Sequence, residues 1–218
     1  KMSYLVPLFP LPEMVLFPRT HIKLHVFEPR YVAMVDAVVQ DDKRIGVCHL
    51  REGYAKDYFG APPVHRMITT SRILLADQLK DGRWNITVEG IERACIEEEA
   101  ASQPYRIARV SPILEEVNPQ HRNETNDLMN RVSEMSLAIS ERLDTARRQV
   151  HNVINTHKHP GVVADVLAGV LVTDTYARQS LLSERDVYRR LQLLRIQLEI
   201  LIHDLKESGI RVNYSPGN

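Results

Sequence analysis

The amino-acid sequence predicts an α+β protein: a β-barrel or strongly bent sheet of six or seven short strands with one inserted helix, followed by an α-helical bundle with a long last helix. Three observations predict it. Up to about Val117, short apolar runs are separated by turn residues. Beyond Pro119 the strand patterns stop and apolar residues recur at helical spacing. The 218 residues, 44% hydrophobic and 26% charged, have the make-up of an ordinary folded protein and allow one medium domain or two small ones. The expected division is 1–117 for the barrel and 118–218 for the bundle.

Residues 20–27 give the clearest strand. Ile22, Leu24 and Val26 point one way and His21, Lys23 and His25 the other, the period of a half-buried strand. Similar runs cover residues 5–9, 45–50, 67–75, 84–88, 94–96 and 105–110. Asp81-Gly82 lies between two of them, a dipeptide that favours a hairpin because glycine tolerates positive φ. Pro29 suits the first turn of a helix, and Val32, Val35, Val38 and Val39 continue it; this helix is expected to plug or flank the barrel.

Residues 120–148 carry Leu128, Val132, Met135, Ile139 and Leu143 on one face and predict one amphipathic helix or two. Pro160-Gly161 is expected to end whatever precedes it, and the nearly all-apolar residues 162–172 to form a short buried helix. Ser183 is the expected N-cap of a long helix over residues 184–208, with Leu191, Leu194, Leu198, Leu201 and Leu205 as an apolar seam. That seam suits a bundle core, with self-association through the last helix as the alternative.

The formal net charge is zero and is balanced in both halves, so nothing attracts a phosphate backbone over a distance. Arg30, Lys43, Arg44, Arg51 and Arg72 are matched by nearby Glu28, Asp41, Asp42, Glu52 and Asp77, which opposes the counterion release that drives RNA binding. No nucleic-acid or membrane partner is expected. The longest apolar stretch falls short of the roughly 20 residues that span a bilayer, and the start shows no basic segment leading into an apolar one. With two isolated cysteines, Cys48 and Cys95, a reducing cytoplasm is the expected location.

The segments Val6-Pro7-Leu8-Phe9-Pro10-Leu11-Pro12 and Val15-Leu16-Phe17-Pro18, then Leu24-His25-Val26-Phe27-Glu28-Pro29-Arg30-Tyr31, resemble the amino-terminal, substrate-recognition domain of the Lon ATP-dependent protease family. Residues 81–91 are similar to its strand-turn-strand signature, and residues 179–191 to the start of its last helix. The resemblance implies a PUA-like β-barrel followed by a helical bundle, and a role in recognising polypeptides. It also implies a stand-alone Lon-domain protein, since the family's ATPase and Ser-Lys protease parts would follow Asn218. A relative of the domain occurs in cereblon, where it binds a small molecule. Two departures stand out: Val64-His65-Arg66-Met67 replaces a glycine-containing stretch, and His159-Pro160-Gly161 lacks the acidic residue usual before the buried helix.

No catalytic residue, cofactor or metal is expected. None of the nine glycines is followed by lysine, so no P-loop can wrap a phosphate. Lys206 and Ser208 are expected to be solvated helix-end residues. His151, His157, His159 and Asp165 lack the spacing of zinc ligands, and the three histidines are expected at surfaces and helix ends. Cys48 and Cys95 are expected to behave as small apolar groups, and Glu97, Glu98 and Glu99 to form a solvated turn.

Binding an unfolded or damaged polypeptide calls instead for exposed apolar surface and an open sheet edge. The candidate residues are Phe27, Glu28, Arg30 and Tyr31 at the start of the first helix and Tyr54, Tyr58 and Phe59 in the loop 53–63. Two alternatives stand beside contact with a ligand: the loop aromatics fold back over the barrel mouth, and Glu28 and Arg30 orient the helix. The expected function is non-catalytic capture of unfolded or tagged polypeptides, with any cutting left to a separate protease or ATPase. The alternative function is a cereblon-like ligand-sensing or adaptor module with a small-molecule pocket.

Overall fold

The computed structural model describes residues 2–100, 104–212 and 214. The chain divides into two compact units, one ending at Leu114 and the other starting at Glu115. The sequence placed this division after residue 117.

The first unit contains β1 (Tyr4–Leu11), β2 (His21–Val26), α1 (Pro29–Val38), β3 (Arg44–His49), β4 (Met67–Gln78), β5 (Trp84–Ala100) and β6 (Ile107–Pro112). The strand order is β2-β5-β4-β3-β1-β6, and β5 pairs with β6 as well. Five strands therefore close into a barrel, with β2 attached to the first half of β5. Neighbours are antiparallel except β1 and β3, which run parallel.

The two runs expected at 84–88 and 94–96 are one strand, β5, of 17 residues. Gly90 sits where the sequence suggested a break, but it marks a close approach. A Cβ there would overlap the carbonyl of Phe17. The Gly90 N–H donates to the Thr20 carbonyl at 2.9 Å, and its own carbonyl accepts from the Arg19 N–H at 2.7 Å. Irregular register at Thr70/Ser71, Ile73/Leu75 and Ile96/Glu98 bends the long strands as barrel closure requires. Glu97, Glu98 and Glu99 lie in β5 rather than in a turn, all exposed, and Glu99 binds Arg106 through both oxygens at 2.6 and 2.8 Å. The Asp81-Gly82 turn joins β4 to β5, with Gly82 at φ 86°.

Alternation sorts two sets of apolar side chains. Val6, Leu8, Cys48, Ile68, Ala94, Ala108 and Val110 form one cluster within the barrel. Phe9, Val47, Ile73, Ile86 and Val88 form a second together with Tyr31, Met34, Val35 and Val38 of α1, so the helix flanks the barrel. The Trp84 indole N–H donates to Asp36 at 2.9 Å and pins α1 to β5.

The second unit contains α2 (Arg122–Ser140), α3 (Asp144–Thr156), α4 (Pro160–Leu171), α5 (Thr175–Ser183) and α6 (Val187–Glu207). Pro160 begins α4, where its missing N–H does no harm, and α3 has already ended at Thr156. Ser183 is not a cap. It closes α5, a helix the sequence analysis missed, and its hydroxyl donates to the Gln179 carbonyl at 2.8 Å. Asp186 caps α6 by accepting from the Arg189 N–H at 2.9 Å. The seam of α6 faces inward, with Leu191, Leu194 and Leu198 fully buried against its neighbours α2, α4 and α5.

Arg190 is fully buried with its charge answered. Its guanidinium meets Glu115, lies 3.4 Å from Asp165 and donates to the Glu184 carbonyl at 3.2 Å. The carboxylate at the start of α4 thus comes from Glu115. A Cβ at Gly161 would overlap it, and His159 lies 3.8 Å away.

Candidate functional site

The barrel unit gathers most of the candidate residues around one interaction. Glu28 is the N-cap residue of α1, yet its carboxylate does not cap the helix. It accepts instead from the Tyr58 hydroxyl at 2.7 Å and from Arg30 Nε at 3.1 Å. Arg30 Nη2 in turn donates to the Tyr58 carbonyl at 3.1 Å. The guanidinium lies over two rings, 4.7 Å from the centroid of Tyr31 and 5.3 Å from that of Tyr58. Tyr54 and Tyr58 also pack against the inner barrel cluster. This clasp ties the loop 53–63 to the start of α1.

Burial separates the candidates by role. Tyr31 is 7% exposed and packs on Phe9 in a tilted arrangement with ring centroids 4.7 Å apart, so it supports the core. Phe27 is 61% exposed and Phe59 is 86% exposed. Each adjoins one partner of the Glu28–Tyr58 hydrogen bond, so the clasp presents two solvent-facing aromatics from distant parts of the chain. The Phe59 and Tyr58 rings meet in a T-shaped arrangement with centroids 5.2 Å apart. The loop aromatics therefore split: Tyr54 and Tyr58 fold back and Phe59 stays out.

Proton affinities follow from these contacts. The hydrogen bond to Glu28, and then burial, raise the Tyr58 pKa above the ordinary tyrosine value. Burial pushes Tyr31 up to about 12. Burial also pushes the Cys48 thiol up to about 12, which keeps it in the un-nucleophilic form. The Ser208 hydroxyl donates to the Asp204 carbonyl at 2.9 Å. Among the described residues, no group of three or more His, Cys, Asp and Glu side chains could hold a metal ion.

Phe27 directly follows β2, and β2 is the sheet's edge. Among the described residues it pairs with β5 alone. The Gly90-to-Thr20 bond fixes which residues face β5, so the alternate ones, His21, Lys23 and His25, direct their backbone groups away from it. Their side chains are exposed, and His25 lies 2.8 Å from Asn85 and stacks near Phe27. A shallow groove of about 530 Å³ crosses the strands here, lined by Lys23, His25, Thr87 and the exposed Leu75 among others. Neither the groove nor the role of Leu75 in it follows from local sequence spacing. Lys23 in an alternating strand was the available hint, since lysine is common on edge strands.

His65, at the glycine-containing stretch of the resembled family, stacks on His49 with ring centroids 5.0 Å apart. Burial lowers the pKa of both. Of the basic residues considered for RNA, Arg30 pairs with Glu28 at 3.0 Å and Arg44 with Asp42 at 3.5 Å.

Residues 5–199 match the model of the "ATP-dependent protease La (LON) substrate-binding domain". The chain belongs to this family. It is 25% identical over 206 residues to the Lon protease of Desulfosudis oleivorans, covering 94% of the chain and 25% of that protein. It is 28% identical over 187 residues to the Lon protease of Trichlorobacter lovleyi, covering 86% of the chain and 23% of that protein. The chain thus spans about a quarter of the length of the curated relatives it matches. Among solved structures, the N-terminal domain of Mycobacterium avium complex Lon protease superposes with a TM-score of 0.72 at 17% identity, covering 90% of this chain and 98% of that one. The Lon N-terminal domain protein from Xanthomonas campestris gives 0.60 at 26% identity, covering 88% and 98%. These likenesses agree with the expected α+β architecture of the Lon N-terminal family, a six-stranded sheet followed by helices.

Proposed function

We propose that this Lon N-terminal-family chain is a non-catalytic module that captures unfolded polypeptide on the barrel unit. The observation that carries the proposal is the continuity of surface from the open edge of β2 through Phe27 to the clasp and Phe59. An extended chain adding to β2 gains main-chain hydrogen bonds without regard to its sequence. The exposed rings and Leu75 then select apolar side chains, since aromatics give large contact area at low ordering cost. A folded protein offers far less free backbone and fewer contiguous apolar side chains than an unfolded one, so the surface favours unfolded chains.

Cutting is assigned to a separate protease or ATPase, because what the surface supplies is stacking faces and hydrogen-bonding groups. The family description of a substrate-binding domain supports the same role. A cytoplasmic location belongs to the proposal and is supported by the two free cysteines. Among the described residues, no helix is long and apolar enough to cross a membrane. An adaptor governed by a small molecule would want an aromatic cage, and the space between Tyr31 and Tyr58 is filled by the chain's own Arg30.

The test is a titration of the chain with a permanently unfolded protein and with a folded protein of equal charge. Tighter binding of the unfolded one supports the proposal. Equal affinity for both removes it.

A further inference from the structure

Helix α6 carries a second apolar stripe that the bundle does not use. Leu193, Ile196 and Ile200 are 36%, 43% and 49% exposed. They lie on the side opposite the buried Leu191, Leu194 and Leu198, because spacings of three and four residues return to one helical face. The same row continues to exposed Arg189 at its N-terminal end and to exposed Asp204 at its C-terminal end. A depression of about 440 Å³, lined by Arg189, Gln192, Leu193 and Ile196 among others, runs along its first half.

We infer that this stripe binds the same stripe of a second copy of the chain, with the two helices antiparallel. The ends of the row decide the occupant. A helix face with a cation at one end, an anion at the other and apolar residues between is complementary to itself when reversed. An antiparallel pair centred just after Ile196 sets Arg189 of one copy against Asp204 of the other, and Leu193 against Ile200. A parallel pair would set Arg189 against Arg189 and Asp204 against Asp204. Ile200 of each copy enters the depression beside Leu193 of the other. Three apolar side chains a copy form a patch smaller than the roughly 1,200 Å² of a standard specific interface, so the dimer is weak and reversible. It uses the outer face of α6 and leaves the inward leucine seam in the bundle core.

Sedimentation equilibrium of the 218-residue chain over a concentration series tests this. A monomer–dimer equilibrium is expected. Ile196→Glu should weaken it by about tenfold or more, because a carboxylate would have to be desolvated at the centre of the contact. Arg189→Asp and Asp204→Arg should each weaken it, and the double reversal should restore it. These positions are exposed, and circular dichroism checks that each variant stays folded. The inference is overturned by a chain that remains monomeric at about 1 mM, where even a weak pair would form. A dimer indifferent to Ile196→Glu, or single reversals that the double reversal does not repair, would overturn it equally. The polypeptide titration above reads a different unit and can fail or succeed independently.

Discussion

The Tyr58 hydroxyl donates a 2.7 Å hydrogen bond to Glu28 Oε1, joining residues 30 positions apart. This bond and the Arg30 contacts beside it hold the loop 53–63 against the start of α1 and fix where Phe27 and Phe59 emerge.

Removing the hydroxyl should loosen that loop. Tyr58→Phe leaves the ring contacts but deletes the donor, and a net loss of about 1 kcal/mol is expected. Hydrogen exchange should quicken for the amides of residues 53–61, with the barrel strands unaffected. Unchanged loop exchange would mean that the clasp is held elsewhere.

Alkali should act at the same place. Tyr58 and Tyr31 have raised pKa values in the folded chain, Tyr31 at about 12. Their neutral forms are favoured by folding, so the stability they contribute is complete below the ordinary value near 10 and is lost as pH rises through the folded values. Tyrosinate absorbance should show tyrosines titrating late, and Tyr58→Phe should remove one of them.

On the acid side the sign reverses. His49 and His65 have lowered pKa values, so the unfolded chain binds more protons just below the ordinary histidine value of about 6.5. Their contribution is present above that value and is lost as pH falls through the lowered folded values. Denaturation midpoints should fall on acidification from pH 7, and less steeply in His65→Phe, which keeps a ring against His49.

The bundle depends on Arg190. Arg190→Ala leaves Glu115 and Asp165 without their guanidinium and should destabilise by about 3–5 kcal/mol. Gly161→Ala, whose methyl group would displace the Glu115 carboxylate, should destabilise by about 1–3 kcal/mol. Chemical denaturation followed by helical circular dichroism measures both.

Local periodicity made β2, α1 and the seam of α6 legible, because each buries one face with a fixed repeat. The runs 84–88 and 94–96 looked separate because a glycine inside a strand pattern looks the same whether it breaks the strand or admits another backbone; only the position of Phe17 beside Gly90 distinguishes the two. Ser183 and Asp186 have equal capping chemistry, and the choice fell to Asp186 when α5 claimed Ser183. The residue types of the proposed binding surface were readable, but its geometry was not. The Glu28–Tyr58 bond and the edge position of β2 arise from long-range packing that no local spacing encodes.

Amide chemical-shift mapping of the chain with an unfolded polypeptide tests capture at this surface most directly. Capture predicts shifts and slowed exchange at His21, Lys23 and His25, with perturbation continuing to Phe27 and Phe59. Binding that perturbs other regions and leaves these five residues unchanged would contradict it.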